Sequence, residues 1–187
     1  MSEARVAVDI LIVALGGTAG LRASDDALAG AMRRGGASVT VARVAGAREP
    51  RTFALTDLAW AAPARRVAAR ALREARPRAI VYATTTAALL WPEPGAIRFD
   101  SPAAANRPGR HGIWQRPVER RRFAAAPLLL PTSAGALAEA PAPHAPAIVV
   151  PIPVAPSGPA ARSRDIAVIT YGANPRKKGL DRVVAAW

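Results

Sequence analysis

The chain has 187 residues, a length that accommodates one complete domain and the beginning of a second. It contains no cysteine, which excludes disulfides, thiolate metal sites and cysteine nucleophiles, and no apolar run approaches the roughly 20 residues needed to span a bilayer. Its 26 lysine and arginine residues against 13 aspartates and glutamates leave a net charge of +13, which suits a nucleic acid, an anionic membrane or a phosphorylated substrate as partner, or reflects a codon bias toward alanine, arginine, proline and glycine.

The N-terminal stretch predicts a βαβ unit. Residues 5–17 form an apolar run that ends in glycines, which is typical of a buried strand. Residues 18–36 predict a helix that stops at a Gly-Gly pair, and residues 37–44 alternate β-branched and polar side chains as a second strand does. Units of this kind build parallel sheets.

The middle of the chain continues the alternation of strands and helices. Residues 51–55 predict a short strand, and residues 56–78 predict a helix that Thr56 or Asp57 caps and that Pro63 kinks or restarts. The remaining elements are predicted as strands at 79–85, 95–100, 127–133 and 146–154, a loop at 101–117, and helices at 118–126 and 134–140. We therefore predict an α/β fold, a Rossmann-like parallel sheet with helices on both faces.

The C-terminal stretch begins again after a linker. Residues 154–164 combine Pro, Gly, Ser, Ala and Arg without apolar periodicity. Residues 165–172 predict a new strand, and Leu180, Val183, Val184 and Trp187 line one face of a helix. The predicted organisation is a domain at 1–153, a linker at 154–164 and the start of a second α/β domain at 165–187.

The turn after the first strand is the first candidate site. Gly16 and Gly17 stand between a strand and a helix, where a ligand can approach the backbone and the helix N-terminus favours anions. Their spacing does not match the dinucleotide fingerprint. A tight turn without a ligand explains the same residues.

An arginine-rich stretch is the second candidate site. Arg107, Arg110, His111 and Arg116 surround a Gly-Pro loop, and Glu119 stands near the start of the next helix. Arginine forks of this kind bind phosphate, acidic sugars or nucleic acid. The alternative is a solvated basic loop in which Glu119 favours the helix N-terminus and His111 has no acidic neighbour in sequence.

The predicted helix at 56–78 carries a third feature, a basic face. Its arginines are Arg65, Arg66, Arg70, Arg73 and Arg76, and they cluster opposite the apolar side chains. Such a face can lie on an anionic membrane. The flanking strands favour the alternative, in which the helix packs on its own sheet with the arginines in water.

Three stretches together resemble the GT-B glycosyltransferases of family 4. "YGANPRKKGLDRVVAAW", after a Pro-rich linker, resembles the start of the C-terminal domain of that family. "ILIVALGGTAGLRASDDALAGAMRRGGASVTVARV" is similar to its first strand, glycine loop, helix and second strand. "VERRRFAAAPLLLPTS" is similar to its Glu-Arg helix and to the strand and serine that follow.

The resemblance implies a fold, an activity and partners. It implies two Rossmann-like domains with the active site between them, of which residues 1–153 are the acceptor side and residues 165–187 begin the donor side. The implied reaction is a retaining, hexosyl-type transfer from a nucleotide-sugar to an unknown carbohydrate or lipid acceptor, without metal or cofactor. It implies a cytoplasmic protein at the inner face of the membrane that does not bind nucleic acid.

The resemblance also implies roles for single residues. Lys178 matches the lysine that contacts the donor diphosphate, and Gly16 and Gly17 match the loop near the donor phosphates and the acceptor. Asp100 stands where the family often has a histidine, and Ala173 where it often has an arginine. Asp100 and the residues of the arginine-rich stretch are then candidate acceptor or anion contacts.

The end of the chain sets a further expectation. The glutamate pair that grips the donor in that family would lie beyond Trp187, so we expect the chain to be a fragment that does not transfer sugar alone. The alternative function is a non-catalytic basic α/β module that binds nucleic acid or an anionic membrane surface.

Overall fold

The computed structural model describes residues 6–46, 53–107, 109–153, 158 and 180–186. The chain separates into two compact units, Met1–Pro153 and Val154–Trp187. In the second unit the structure describes one helix, Leu180–Ala186, which agrees with the apolar periodicity there. The strand predicted at 165–172 lies outside the described residues, as does the predicted linker except for Gly158. The predicted domain boundaries stay predictions.

The first unit contains a five-stranded parallel sheet, which confirms the predicted α/β, Rossmann-like fold. Its strands are β1 Val6–Ala14, β2 Val39–Arg43, β3 Ala75–Tyr82, β4 Ala96–Phe99 and β5 Leu129–Pro131, in the spatial order β2-β1-β3-β4-β5. The described helices of this unit are α1 Ala19–Arg34, α2 Phe53–Glu74, α3 Thr85–Ala88, α4 Ala103–Asn106, α5 Gln115–Ala125 and α6 Ala134–Ala138, with a 3-10 helix at Gly109–Gly112.

Helices cover both faces of this sheet. The crossover from β1 to β2 and the crossover from β2 to β3 run in opposite directions, so right-handed connections put α1 and α2 on opposite faces. Helix α2 packs through Ala64 and Ala68 into a core that includes Leu11. Helix α1 packs through Leu28 into a second core that includes Ile12. The small side chains of α2 let the helix lie close to the sheet.

The start of α2 corrects two predictions. The strand predicted at 51–55 is wrong from Phe53 onward, because the helix begins there. Thr56 and Asp57 therefore lie inside the helix instead of capping it. Asp57 is buried and its carboxylate accepts hydrogen bonds from Arg107, which is a tertiary contact that local propensity does not reveal. Pro63 lies inside the continuous helix.

The end of α2 also differs from the prediction. The helix stops at Glu74, and Ala75, Arg76 and Pro77 belong to β3, where they pair with Val6–Val8 of β1. Parallel pairing with β1 outweighs the helical pattern, which Pro77 cannot continue without losing a backbone hydrogen bond. Arg76 is therefore not part of a basic helical face.

Four of the five predicted arginines remain on the helix, and two of these four make contacts within the domain. Arg65 donates from Nη1 to the carbonyl oxygens of Leu90 and Trp91, both at 3.0 Å. Arg70 pairs with Glu74 at 2.8 Å. For the other two arginines that remain on the helix, at positions 66 and 73, we find no ion pair or hydrogen bond among the described residues.

Two further predictions are wrong in detail. The loop predicted at 101–117 contains α4, the 3-10 helix and the first turn of α5. The strand predicted at 146–154 makes a single bridge between Leu129 and Ala147. Ile148 N donates to Leu129 O at 2.9 Å and Val150 N to Pro131 O at 2.8 Å, but Pro131 has no N–H to return a bond, so a regular ladder does not form.

Gly95 is expected to be intolerant of a side chain because it lies against β3. A Cβ at this position would meet Ile80 O at 2.7 Å and Ile80 Cβ at 2.8 Å. We expect Gly95→Ala to lower the free energy of unfolding by about 2 kcal/mol through overpacking. Gly20→Ala is the control, since a Cβ there meets nothing within 4 Å and helix propensity favours alanine by up to about 1 kcal/mol. Urea unfolding followed by circular dichroism measures both, and equal values would contradict the packing argument.

Candidate binding cleft

A cleft of about 550 Å³ opens at the carboxyl ends of the strands. It is lined by residues that directly follow β1, β3, β4 and β5. Strand order reverses between β1 and β3, and open parallel sheets bind their ligands in the crevice at such a reversal. The position of the cleft therefore agrees with a ligand site.

Hydroxyl groups are the commonest polar groups in a cleft lining whose surface is mostly apolar. Seven lining side chains carry one: Thr18, Ser24, Thr84, Thr85, Thr86, Ser101 and Thr132. Asn106 adds an amide and Asp100 a carboxylate, while Leu15, Leu21 and Phe99 supply apolar surface. Each hydroxyl can both donate and accept, but Thr18, Ser24 and Thr84 already accept a bond within the protein and Thr86 donates one. The donor and acceptor positions that remain, with the Asn106 amide and the Asp100 carboxylate, can pair with polar groups of a ligand, and the apolar side chains add contact.

A smaller recess of about 200 Å³ adjoins the cleft and shares Leu15, Thr18, Leu21 and Thr86 with it. Its other lining residues include Gly17, Asp57, Trp60 and Arg107. A Cβ on Gly17 would meet the Trp60 ring at 3.1 Å. The shape of the recess therefore depends on a glycine at position 17, because a side chain there would press against the Trp60 ring of α2.

The glycine turn has packing reasons of its own. Gly16 has a φ of +66°, a conformation that disfavours other residues, and a Cβ there would meet the Arg43 side chain at 2.8 Å. Arg22 Nη1 donates to Gly16 O at 2.7 Å. Gly17 lines the recess, whereas Gly16 lines neither the cleft nor the recess. A role of both glycines in binding phosphate stays a prediction.

Asp57 and Arg107 form a buried ion pair at the recess. Arg107 donates from Nε to Asp57 Oδ2 at 2.9 Å and from Nη2 to Oδ1 at 3.0 Å. Gln115 Nε2 donates to Oδ2 at 3.1 Å. This bidentate pairing has the geometry in which guanidinium and carboxylate bind most strongly. The pair joins α2, the end of α4 and the start of α5 behind the cleft.

A second buried pair lies at the cleft between Arg98 of β4 and Asp25 of α1. Arg98 Nη1 lies 3.8 Å from Asp25 Oδ1, and Arg98 Nη2 donates to Ser24 Oγ at 2.7 Å. Burial raises the pKa of Asp25 to about 6, and burial likewise lowers the pKa of Arg98. Asp25 therefore titrates at mildly acidic pH while Arg98 keeps its charge, and Arg98 is the guanidinium that lines the cleft.

Glu119 is buried under one wall of the cleft. Its carboxylate oxygens accept from Ala103 N at 2.7 Å and 3.0 Å. Burial raises its pKa to about 7. Glu119 lies in the second turn of α5, which begins at Gln115, so the interpretation of this glutamate as a favourable charge at the helix N-terminus does not account for its contacts.

The residues predicted as acceptor or anion contacts therefore lie in different places in the structure. Asp100 lines the cleft and Arg107 the recess. Arg116 donates to Gly109 O at 2.6 Å and to Gly112 O at 3.2 Å, which holds the 3-10 helix. Arg110 is exposed and lines neither space. The side chain of His111 and all of Lys178 lie outside the described residues, and their predicted roles stay predictions.

Sequence reasoning missed several residues that the fold brings to the cleft. They are Ser24, Thr84, Thr85, Thr86, Arg98 and Thr132. Two signals were present in the sequence: a run of threonines directly after an apolar strand, and an arginine within the otherwise apolar "AIRF" of β4. A charged side chain inside a buried strand needs a partner, and that partner, Asp25, was not predictable from its position in α1.

Among the described residues, no three or more His, Asp or Glu side chains gather as a metal site, and none of the described helices has the length and apolar character to cross a membrane. Comparison with protein-family models, curated proteins and solved structures found no match. A functional assignment must therefore come from the cleft and from the sequence motifs.

Proposed function

We propose that residues 1–153 are the acceptor-side domain of a glycosyltransferase and that the cleft binds a sugar-containing acceptor. The proposed reaction is a retaining, hexosyl-type transfer from a nucleotide-sugar, without metal or cofactor. The lining of the cleft carries the proposal. The resemblance of the glycine turn, the Glu-Arg helix and the C-terminal stretch to family 4 supports it independently.

The lining suits a carbohydrate for a physical reason. A sugar ring presents hydroxyl groups that donate and accept, together with apolar C–H faces. Hydroxyl side chains match the first, and Leu15, Leu21 and Phe99 match the second. Asp100 adds a carboxylate acceptor, and a hydrogen bond to a charged group contributes about 1.5–3 kcal/mol.

The donor contacts are proposed for the chain after residue 153. Lys178, in "NPRKKGL", is the residue proposed to contact the donor diphosphate. The proposal includes action in the cytoplasm at the inner face of the membrane, on a carbohydrate or lipid-linked acceptor.

The rival function is a basic module that binds nucleic acid or an anionic surface through exposed arginines such as Arg66, Arg73 and Arg121. It differs from sugar binding in its response to salt. Binding through phosphate contacts weakens steeply as salt rises. Binding of a neutral sugar in the cleft is expected to be insensitive to salt.

Ligand-observed NMR tests the proposal with a panel of neutral methyl glycosides of hexoses and N-acetylhexosamines. We expect at least one glycoside to receive saturation from the protein, and Asp100→Asn to weaken its binding about tenfold through loss of a charge-assisted bond. Asp26→Asn is the control, because Asp26 is an exposed aspartate outside the cleft. Absence of binding across the panel, or equal binding by both variants, would overturn the proposal, and salt-sensitive duplex DNA binding would favour the rival.

A further inference from the structure

One wall of the cleft consists of the segment 100–107. Asp100, Ser101 and Asn106 line the cleft, and Arg107 lines the recess. The middle of the segment is helix α4, which begins at Ala103 and contains only four residues. A helix this short has no stability of its own. The wall therefore depends on contacts from elsewhere in the domain.

The main contact comes from Glu119 of α5. Pro102 precedes α4 and gives it no side-chain cap, so the N–H of Ala103 needs an acceptor from another element. The Glu119 carboxylate provides it, with both oxygens within 3.0 Å of Ala103 N. Only 2% of the Glu119 residue is exposed, so water does not replace this bond.

Glu119 also lies near a second part of the cleft lining and rests on a rigid support. The Thr85 hydroxyl, which lines the cleft, lowers the pKa of the same carboxylate and so lies close to it. One turn further along α5, Phe123 is fully buried and its ring centroid lies 4.7 Å from that of Phe99 in β4. The carboxylate is thus carried by a helix that packs on the sheet, and it holds the wall 100–107 through Ala103 N–H.

We propose that Glu119 is a positioning residue for the cleft, which holds the wall 100–107 in its ligand-binding place through Ala103, and that gain or loss of its proton changes how firmly the wall is held. This inference rests on the proposed function only for the nature of the ligand. The contacts that carry it are those of the protein alone.

The charges around Glu119 determine when it titrates. Burial raises the pKa of Glu119 to about 7, and the Asp57 carboxylate of α2 raises it too. The Ala103 N–H, the Thr85 hydroxyl and the Arg107 guanidinium oppose this shift. Three further charged groups of α5 line a pocket together with Glu119, and they are Arg116, Arg120 and Arg121. Glu119 therefore changes its charge near neutral pH.

The charge of Glu119 determines the strength of its hydrogen bond with Ala103 N–H. An ionised carboxylate accepts from Ala103 N–H about twice as strongly as a neutral acid. A protonated Glu119 must also use one oxygen as a donor. We therefore expect the wall to be held most firmly above about pH 7 and to loosen below it.

Amide NMR of the full chain from about pH 5 to about pH 9 tests the inference without any ligand. We expect the Ala103 amide to titrate with a midpoint of about 7, and the Ser101 and Asn106 amides to shift with the same midpoint. In Glu119→Gln, which keeps the size and an acceptor oxygen, all three should be flat. Glu139→Gln, which changes an exposed glutamate of the same domain, should leave the titrations unchanged.

Ligand affinity gives the second readout. Binding of the methyl glycoside found by the panel should be several-fold tighter at about pH 8 than at about pH 6 in the wild-type chain. The difference should be much smaller in Glu119→Gln, in which Asp25, with a pKa of about 6 beside the cleft-lining Arg98, still titrates. If Ala103 does not titrate in the wild-type chain, or titrates without Ser101 and Asn106, the inference is wrong, whether or not the variant folds. If no glycoside binds at any pH, the proposed function fails while the amide titration still decides the role of Glu119.

Discussion

Asp57→Ala is expected to lower the free energy of unfolding by about 3 kcal/mol, because it leaves a mostly buried guanidinium and a buried amide without the Asp57 carboxylate. Asp57 accepts from Arg107 at 2.9 Å and from Gln115 at 3.1 Å. The loss of one partner of a buried ion pair costs about 3–5 kcal/mol. We expect the lower end of that range because 21% of the Arg107 side chain is exposed and water can solvate part of it.

The matched control for this prediction is Asp26→Ala. Asp26 pairs with Arg43 at 2.8 Å, a similar distance, but 63% of its side chain is exposed. An exposed pair contributes less than about 1 kcal/mol. Guanidinium unfolding of the full chain, followed by circular dichroism, compares the two variants. Equal losses would show that burial does not determine the strength of the Asp57 pair.

The stability of the wild-type chain is expected to fall as the pH rises from about 4 to about 8. The pKa of Glu119 is raised from 4.5 to about 7 and that of Asp25 from 3.8 to about 6, in both cases chiefly by burial. The folded protein therefore binds protons that the unfolded chain releases in this range. When folding raises the pKa of a carboxyl group, its contribution to stability is fully present below the pKa of the unfolded chain. That contribution is lost as the pH rises through the pKa of the folded protein.

Glu119 alone is expected to account for about 3 kcal/mol of this fall, since one unit of pKa corresponds to about 1.4 kcal/mol. In Glu119→Gln the decrease should be smaller by that amount, and Asp25 should account for most of what is left. Glu74→Gln is the control, because that carboxylate is 62% exposed in its pair with Arg70. Denaturant unfolding at about five pH values measures the slope, and an unchanged slope in Glu119→Gln would contradict the assignment.

The global and the local effects of the Glu119 charge have opposite signs. In the folded domain the ionised carboxylate lacks the water that hydrates it in the unfolded chain, so ionisation destabilises the whole domain. The same charge strengthens the single bond to Ala103 N–H that holds the cleft wall. A chain at alkaline pH is therefore expected to be less stable overall but firmer at this wall.

The sequence by itself determined the elements whose pattern is local. The apolar run of β1, the helix that stops at Gly35 and the alternating β2 follow one another within the first part of the chain, and each has a clear period and a stop signal. Parallel pairing then follows from the βαβ order. The position of a cleft at the ends of the strands is a consequence of the same topology.

Tertiary contacts determined the secondary structure of the stretches whose local pattern was ambiguous. Ala75–Pro77 continue a helical pattern but pair with β1, because sheet hydrogen bonds formed with a distant strand outweigh weak local propensity. The last predicted strand, at 146–154, lacks a regular ladder because Pro131 of the neighbouring β5 has no N–H to donate. These differences depend on which residues become neighbours, and a single stretch does not contain that information.

The chemistry of the cleft was decided by tertiary structure most of all. Asp57 and Arg107 are 50 positions apart, and Arg98 meets Ser24 across 74 positions. The pKa of Glu119 depends on burial beneath α4 and on the Ala103 N–H, 16 positions away. A sequence shows which side chains carry charge, but only the packed fold removes water from them. Removal of water shifts the pKa values of Glu119, Asp25 and Arg98 and makes the pairing of Asp57 with Arg107 strong.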